Sequence, residues 1–131
     1  MIPGIISLIL IVLGFNLYQK KPFKQSILDG QEIYYDFCVR CHLPSGMGEH
    51  GRVPPLAGSD YLINNVELSI KGIKFGLSGP IIVNGEEYDG VMQDQGLDDE
   101  EIADVMNYIL NNWGNKSKEF ITEEQVAKIN E

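Results

Sequence analysis

The chain has 131 residues, the size of one ordinary domain, and its 44% hydrophobic and 22% charged content is that of a packed globular protein, not a disordered or collagen-like one. Ten Lys and Arg stand against 19 Asp and Glu, so the formal net charge of -9 has the wrong sign for neutralising phosphates and excludes nucleic-acid binding. The two cysteines, Cys38 and Cys41, stand three positions apart, a spacing that suits a metal, redox or cofactor-attachment motif and not a framework disulfide.

Residues 2–18 carry no charge and are built mainly from Ile, Leu, Val and Phe. At about 1.5 Å per residue this run reaches roughly 25 Å, the short end of what spans a bilayer, and residues 1–19 read as a transmembrane anchor. The alternative is a cleaved leader. Against it, no pair of small residues at signal-peptidase spacing precedes Gln19, and no basic stretch precedes the apolar run. Lys20 and Lys21 pull the globular part towards the cytoplasm by the positive-inside rule, a weak pull for so long a translocated domain. Without the anchor and these two lysines, 8 basic and 19 acidic residues leave a net of -11, which serves solubility or steers the domain towards a basic partner.

Residues 20–25 read as a linker. Ser26 and Asp29 offer helix-start side chains, and Ile27, Ile33, Tyr34 and Phe37 at helical spacing predict a first helix ending near Cys38. Between Leu43 and Ser59, Gly46, Gly48, Gly51, Pro54, Pro55 and Gly58 forbid a helix and predict a loop with a fixed path. Tyr61 to Phe75 reads as helical with a break near Asn64 and Asn65, ended by Gly76 and Gly79. Ile81, Ile82 and Val83 before Asn84 and Gly85 predict a small hairpin returning through Tyr88. Asp98 and Glu101 form a capping box for a last long helix carrying Ile102, Val105, Met106, Ile109, Leu110 and Trp113 on one face, with Gly114 as its C-cap. Residues 115–131 form a polar extension with one short helix through Val126 and Ile129, expected to dock weakly.

Cys38, Val39, Arg40, Cys41 and His42 spell C-x-x-C-H, the pattern of covalent c-type haem attachment. Two thiols three residues apart at a helix end can each add to one vinyl group on a haem edge, and the adjacent imidazole is carried under the iron. The rival readings are a thiol redox couple and half of a zinc site. Zinc needs two more ligands, and the one other His is His50 with no further Cys; a thioredoxin-like couple wants a preceding strand, where a helix is expected here.

From these residues the chain resembles the small class I monohaem cytochromes c over roughly residues 26–114. In that family a Gly, an aromatic and the first Cys fall at i, i+4 and i+8 where the first helix crosses the last; Gly30, Tyr34 and Cys38 match, and Tyr108 resembles the aromatic of the last helix. The family also has a Pro about a dozen residues after the His whose carbonyl accepts from the proximal imidazole, and Pro54 fits. The tract from Gly79 through Met92 to Ile102 is most similar to membrane- or dehydrogenase-associated members. The resemblance implies one covalent haem c and a sixth iron ligand. Met106 faces the apolar stripe, and Met47 and His50 lie too near the attachment motif. Met92, in the loop before the last helix, is where the family presents its thioether, although Gln93 follows where a Pro is usual.

Tyr88 reads as packing, Trp113 as packing or haem contact, and the acidic run 98–101 first as a helix N-terminus. The expectation is an all-α class I cytochrome c fold with an N-terminal transmembrane helix and a short C-terminal helical extension. Its role is one-electron transfer with His42 and Met92 as axial ligands and no substrate bond broken. The partners implied are a quinoprotein dehydrogenase, a bc-type complex or a haem-copper oxidase, met on the periplasmic side of a bacterial cytoplasmic membrane. The rival is a haem-based sensor or peroxidase in which Met92 does not bind, with Gln93, Asp94 and Gln95 as its polar residues.

Overall fold

The structure, a computed structural model, describes residues 20–131, so the anchor expected over residues 1–19 lies outside the described residues. Among the described residues, no helix is long and apolar enough to cross a membrane. Helix α1 (Phe23–Ile33) runs through a widened turn (Tyr34–Cys38) into α2 (Val39–His42). After a long loop come α3 (Asp60–Asn64), α4 (Val66–Phe75), the hairpin β1 (Ile81–Val83) and β2 (Glu86–Tyr88), α5 (Asp99–Ile109) and α6 (Glu123–Ala127).

Helix α1 begins at Phe23, inside the stretch read as linker, with Pro22 as an N-cap residue that makes no side-chain cap bond. Ser26 and Asp29 are therefore not caps. Ser26 is buried and donates to Asp104 at 2.6 Å, and Asp29 pairs with Lys21 at 2.9 Å. The helix also does not stop near Cys38. The amide of Val39 reaches back five residues to the carbonyl of Tyr34, and this one extra residue turns the following side chains by about 100° before the helix resumes to His42.

Other elements fall where propensity puts them. The break between α3 and α4 is at Asn65, whose φ of -131° and ψ of 55° lie outside the helical region. Asn84 (φ 52°) and Gly85 (φ 82°) make the doubly left-handed turn that joins β1 to β2, paired antiparallel with Ile81 opposite Tyr88. Asp98 and Glu101 bond reciprocally as the capping box of α5. That helix ends earlier than expected, with Leu110 as its C-cap; Trp113 (φ 49°) and Gly114 (φ 85°) shape the turn beyond it.

The core sits where α1 crosses α5. A Cβ on Gly30 would stand 2.0 Å from the carbonyl oxygen of Asp104 and 2.9 Å from Cβ of Tyr108, so only glycine lets the backbones meet. One turn on, fully buried Tyr34 packs against Tyr108 with ring centroids 5.5 Å apart. On the other side Lys21 lies within 2.9 Å of Asp29 and 2.7 Å of Asp104 and also pairs with Glu100. Burial alone would lower its pKa, but hydrogen bonds to Asp104, Glu100 and Asp29 outweigh that and hold it above the ordinary lysine value. Asp29 is held below its ordinary range by Lys21 and Gln25. By the signs of these shifts the clamp contributes below the lysine range and above the carboxylate range, so it persists through neutral pH.

The C-terminal extension is not weakly docked. Ile121 and Val126 belong to the buried core, Asn107 exchanges two hydrogen bonds of 2.8 Å with the backbone of Ile121, and Lys74 donates to the Val126 carbonyl at 2.9 Å. Asn107 sits inside the apolar face, where polar residues on α5 act as specific connectors to the extension. Replacing Gly30 by Ala forces α1 and α5 apart and lowers stability by about 3 kcal/mol or more, read from chemical denaturation.

Candidate functional site

The wide turn and α2 bring Cys38, Cys41 and His42 to the wall of a cavity of about 360 Å³. Pro54 and Met92 line the same cavity, so the five residues selected from sequence are brought together. Its floor is the face of α5 that bears Val105 and Ile109, and its sides come from α3, α4 and β1 through Leu62, Ile73 and Val83. The residues that build it are therefore drawn from nearly every element of the fold.

The His42 side chain is fixed. Nδ1 lies 3.1 Å from the carbonyl oxygen of Pro54, and since a carbonyl can only accept, Nδ1 carries the proton and Nε2 keeps its lone pair free. Burial pushes the imidazole below its ordinary pKa, more strongly than the Pro54 carbonyl pulls it up. It is neutral, as a metal ligand must be. The Pro54 loop is held in turn: Asn115 donates to the carbonyls of Leu56 at 2.9 Å and Ile109 at 2.8 Å, and accepts from the amide of Gly58 at 2.9 Å.

Met92 is held by its backbone. It exchanges hydrogen bonds with Leu77, 2.9 Å and 2.8 Å long, which pin the loop despite Gln93 in the place of a proline. A Cβ added at Gly72 would stand 3.7 Å from Cε of Met92, so the thioether methyl lies against the one residue of α4 with no side chain. Of Gln93, Asp94 and Gln95, Gln95 alone lines the cavity.

Cys38 and Cys41 are not joined to each other. Burial, and secondarily Cys41, pushes the Cys38 thiol up to about 11, the opposite of the low pKa a thiol redox couple or a thiolate metal ligand needs. Among the described residues no three His, Cys, Asp or Glu gather as a metal-binding group. The donor set therefore fits a haem: two unpaired thiols at one edge, a neutral oriented imidazole beside them, a thioether in the same cavity, and apolar walls between.

The other candidates lie elsewhere. Met106 is fully buried core, Met47 is exposed, and exposed His50 pairs with Glu86 at 3.0 Å away from the cavity. Tyr88 is buried packing. Trp113 does not line the cavity: it covers Gly46, lies 5.1 Å from the Tyr34 ring, and its Nε1–H donates to the Pro44 carbonyl at 2.9 Å, fastening the loop that follows the Cys pair. Sequence reading missed Gly72, Leu77 and Asn115. Only Ser59, which caps α3 by accepting from the amide of Leu62 at 3.1 Å and also lines the cavity, carried a local signal, a Ser immediately before a helix.

Comparison with known proteins points to the same cofactor. The family model described as Cytochrome c matches residues 27–113. The chain is 42% identical over 110 residues to cytochrome c-552 of Thermus thermophilus, covering 77% of this chain and 83% of that protein. It is 28% identical over 104 residues to the cytochrome c subunit of the quinone alcohol dehydrogenase of Gluconobacter oxydans, where the match covers 76% of this chain but 21% of the relative. Replacing Cys38 and Cys41 together by Ala leaves no thiol in the chain and abolishes covalent haem, so the double variant gives no haem-stained band on denaturing electrophoresis.

Proposed function

The chain belongs to the cytochrome c family and carries electrons on a covalently bound haem c, and from that premise we propose that His42 and Met92 are its axial ligands in a dehydrogenase-linked respiratory chain. Bound haem supplies reversible one-electron exchange between ferric and ferrous iron. The observation that carries the ligand assignment is that the oriented His42 imidazole and the backbone-pinned Met92 line one cavity.

Each residue then has a defined task. Cys38 and Cys41 hold the group by thioether bonds, and the Pro54 carbonyl orients His42 and raises its basicity as a ligand. Leu77 holds the Met92 loop so that the thioether stays in place in both oxidation states, and Leu62, Val105 and Ile109 exclude water. Little rearrangement accompanies transfer when both ligands are fixed in advance.

The uncharged run over residues 2–18 anchors the protein to the bacterial cytoplasmic membrane, with the domain on the periplasmic side where the family's haem attachment takes place. The likeness to cytochrome c subunits of quinone alcohol dehydrogenases supports a quinoprotein dehydrogenase as donor, with a bc-type complex or a haem-copper oxidase as the other partners such a chain uses. The acidic surface suits partners that present a basic face.

The experiment is Met92→Ala. The wild-type ferric protein shows the far-red sulfur-to-iron charge-transfer band, and its ferrous form does not bind carbon monoxide at neutral pH. The variant loses the band and binds carbon monoxide while its haem remains covalently attached. A variant spectrum unchanged from wild type assigns the sixth ligand elsewhere, and carbon monoxide binding by the wild type favours the sensor or peroxidase reading.

A further inference from the structure

We propose that the Tyr34 hydroxyl is a positioning group for His42: it holds the strained backbone of Leu43, and through the loop that starts there it keeps the Pro54 carbonyl on the imidazole. This rests on His42 as an iron ligand and adds the residue that fixes its orientation from outside the cavity.

Leu43 is the residue that calls for such a group. Its φ of 64° and ψ of 160° lie in a region populated almost by glycine alone, because the Cβ of any other residue crowds the backbone there. Burial offers little compensation, since the residue is 42% exposed. Backbone of this kind persists only where its surroundings fix it, and it gathers at functional sites. Leu43 stands immediately after His42, at the C-cap of α2.

Three hydrogen bonds hold it. The Leu43 amide donates to the Val39 carbonyl at 2.9 Å, and its carbonyl accepts from the amide of Gly46 at 3.0 Å and from the hydroxyl of Tyr34. The first two are local to the turn. The third ties Leu43 to the body of the domain, since Tyr34 is fully buried and packs against Tyr108 and Trp113. Burial holds the Tyr34 hydroxyl above its ordinary pKa, so it keeps its proton and donates. Trp113 ties the next carbonyl, that of Pro44, to the same cluster.

From Leu43 the constraint runs to Pro54. The Gly46 carbonyl accepts from the amides of Leu56 at 2.7 Å and Ala57 at 3.0 Å, and the His42 carbonyl accepts from the amide of Gly48 at 3.0 Å. Pro55 has no N–H, so the Leu56 amide is the first after Pro54 that can be tied. His42 Nδ1, 3.1 Å from the Pro54 carbonyl oxygen, closes the circuit. Tyr34 itself does not line the cavity, so it acts on the ligand through these bonds. A fixed bond from Nδ1–H makes the imidazole a stronger donor and favours ferric iron, so loosening it raises the reduction potential.

The test compares the isotope-labelled, haem-loaded chain with Tyr34→Phe, Leu43→Gly and the double variant, each reduced to its diamagnetic low-spin state for magnetic resonance. Tyr34→Phe keeps the packed ring and is expected to speed solvent exchange of the His42 Nδ1 proton about tenfold, the worth of one hydrogen bond, and to raise the midpoint potential. Leu43→Gly alone is expected to leave both as in the wild type. Added to Tyr34→Phe it removes the strain that the hydroxyl opposed, and is expected to return the exchange rate to within about twofold of wild type. A Tyr34→Phe chain that is less stable to denaturant but unchanged in exchange and potential reduces Tyr34 to packing and overturns the proposal. Faster exchange that Leu43→Gly does not reverse overturns it as well, as does loss of haem in Tyr34→Phe that the double variant does not restore. The porphyrin ring current shifts the carbon-bound protons of an iron-bound imidazole far upfield. A wild-type His42 without that shift overturns the ligand reading itself, which tells the two failures apart.

Discussion

The contact between Gly30 and the backbone of Asp104 is the constraint on which the rest of this structure depends. With no side chain between them, α1 and α5 approach closely enough for Tyr34 to reach Tyr108 and for Lys21 to reach Asp104. The crossing fixes two walls of the haem cavity at once, because α1 leads directly into the Cys38–His42 segment and α5 supplies Val105 and Ile109. A shift of the crossing would move the imidazole and the apolar floor relative to each other. The binding site is therefore a consequence of a helix contact made away from it.

A second set of polar contacts carries this geometry to the loops. Asn115 ties the Pro54 loop to the end of α5, Trp113 fastens the loop after the Cys pair to the Tyr34–Tyr108 cluster, and Leu77 holds Met92. Each of these pins backbone close to a residue that lines the cavity, so a glycine-rich loop of 17 residues, 43–59, keeps a single path without regular structure. Buried amides suit this task, since an unsatisfied one costs roughly 1–3 kcal/mol and so selects one arrangement. No buried side-chain polar atom among the described residues is without a partner.

Much of this was legible in the sequence, and the reason is that the signals were local. Gly30, Tyr34 and Cys38 are spaced by helix turns, the Asp98–Glu101 box is closed within one turn, and Asn84–Gly85 demands left-handed backbone regardless of context. The C-x-x-C-H motif selected the haem edge from five consecutive residues. What was not legible was long-range or anti-periodic. The widened turn before Cys38 adds one residue that no hydrophobic period encodes. Ser26 and Asp29 read as caps because their types favour caps; their real partners, Asp104 and Lys21, are set by tertiary packing. Asn107 interrupts an apolar face and gave no local hint that it bonds Ile121 in the extension, so the docking of residues 115–131 was underestimated.

With the proposed ligation by His42 and Met92, the fold holds both iron ligands before and after the electron moves. Equilibrium redox titration of the purified haem-loaded protein, followed by visible absorption across neutral pH, tests this most directly. One reversible one-electron transition is expected, the same in both directions of titration and with low-spin spectra at each end. Hysteresis between the directions, or a high-spin form in either oxidation state, would mean that a ligand leaves during the cycle and would contradict it.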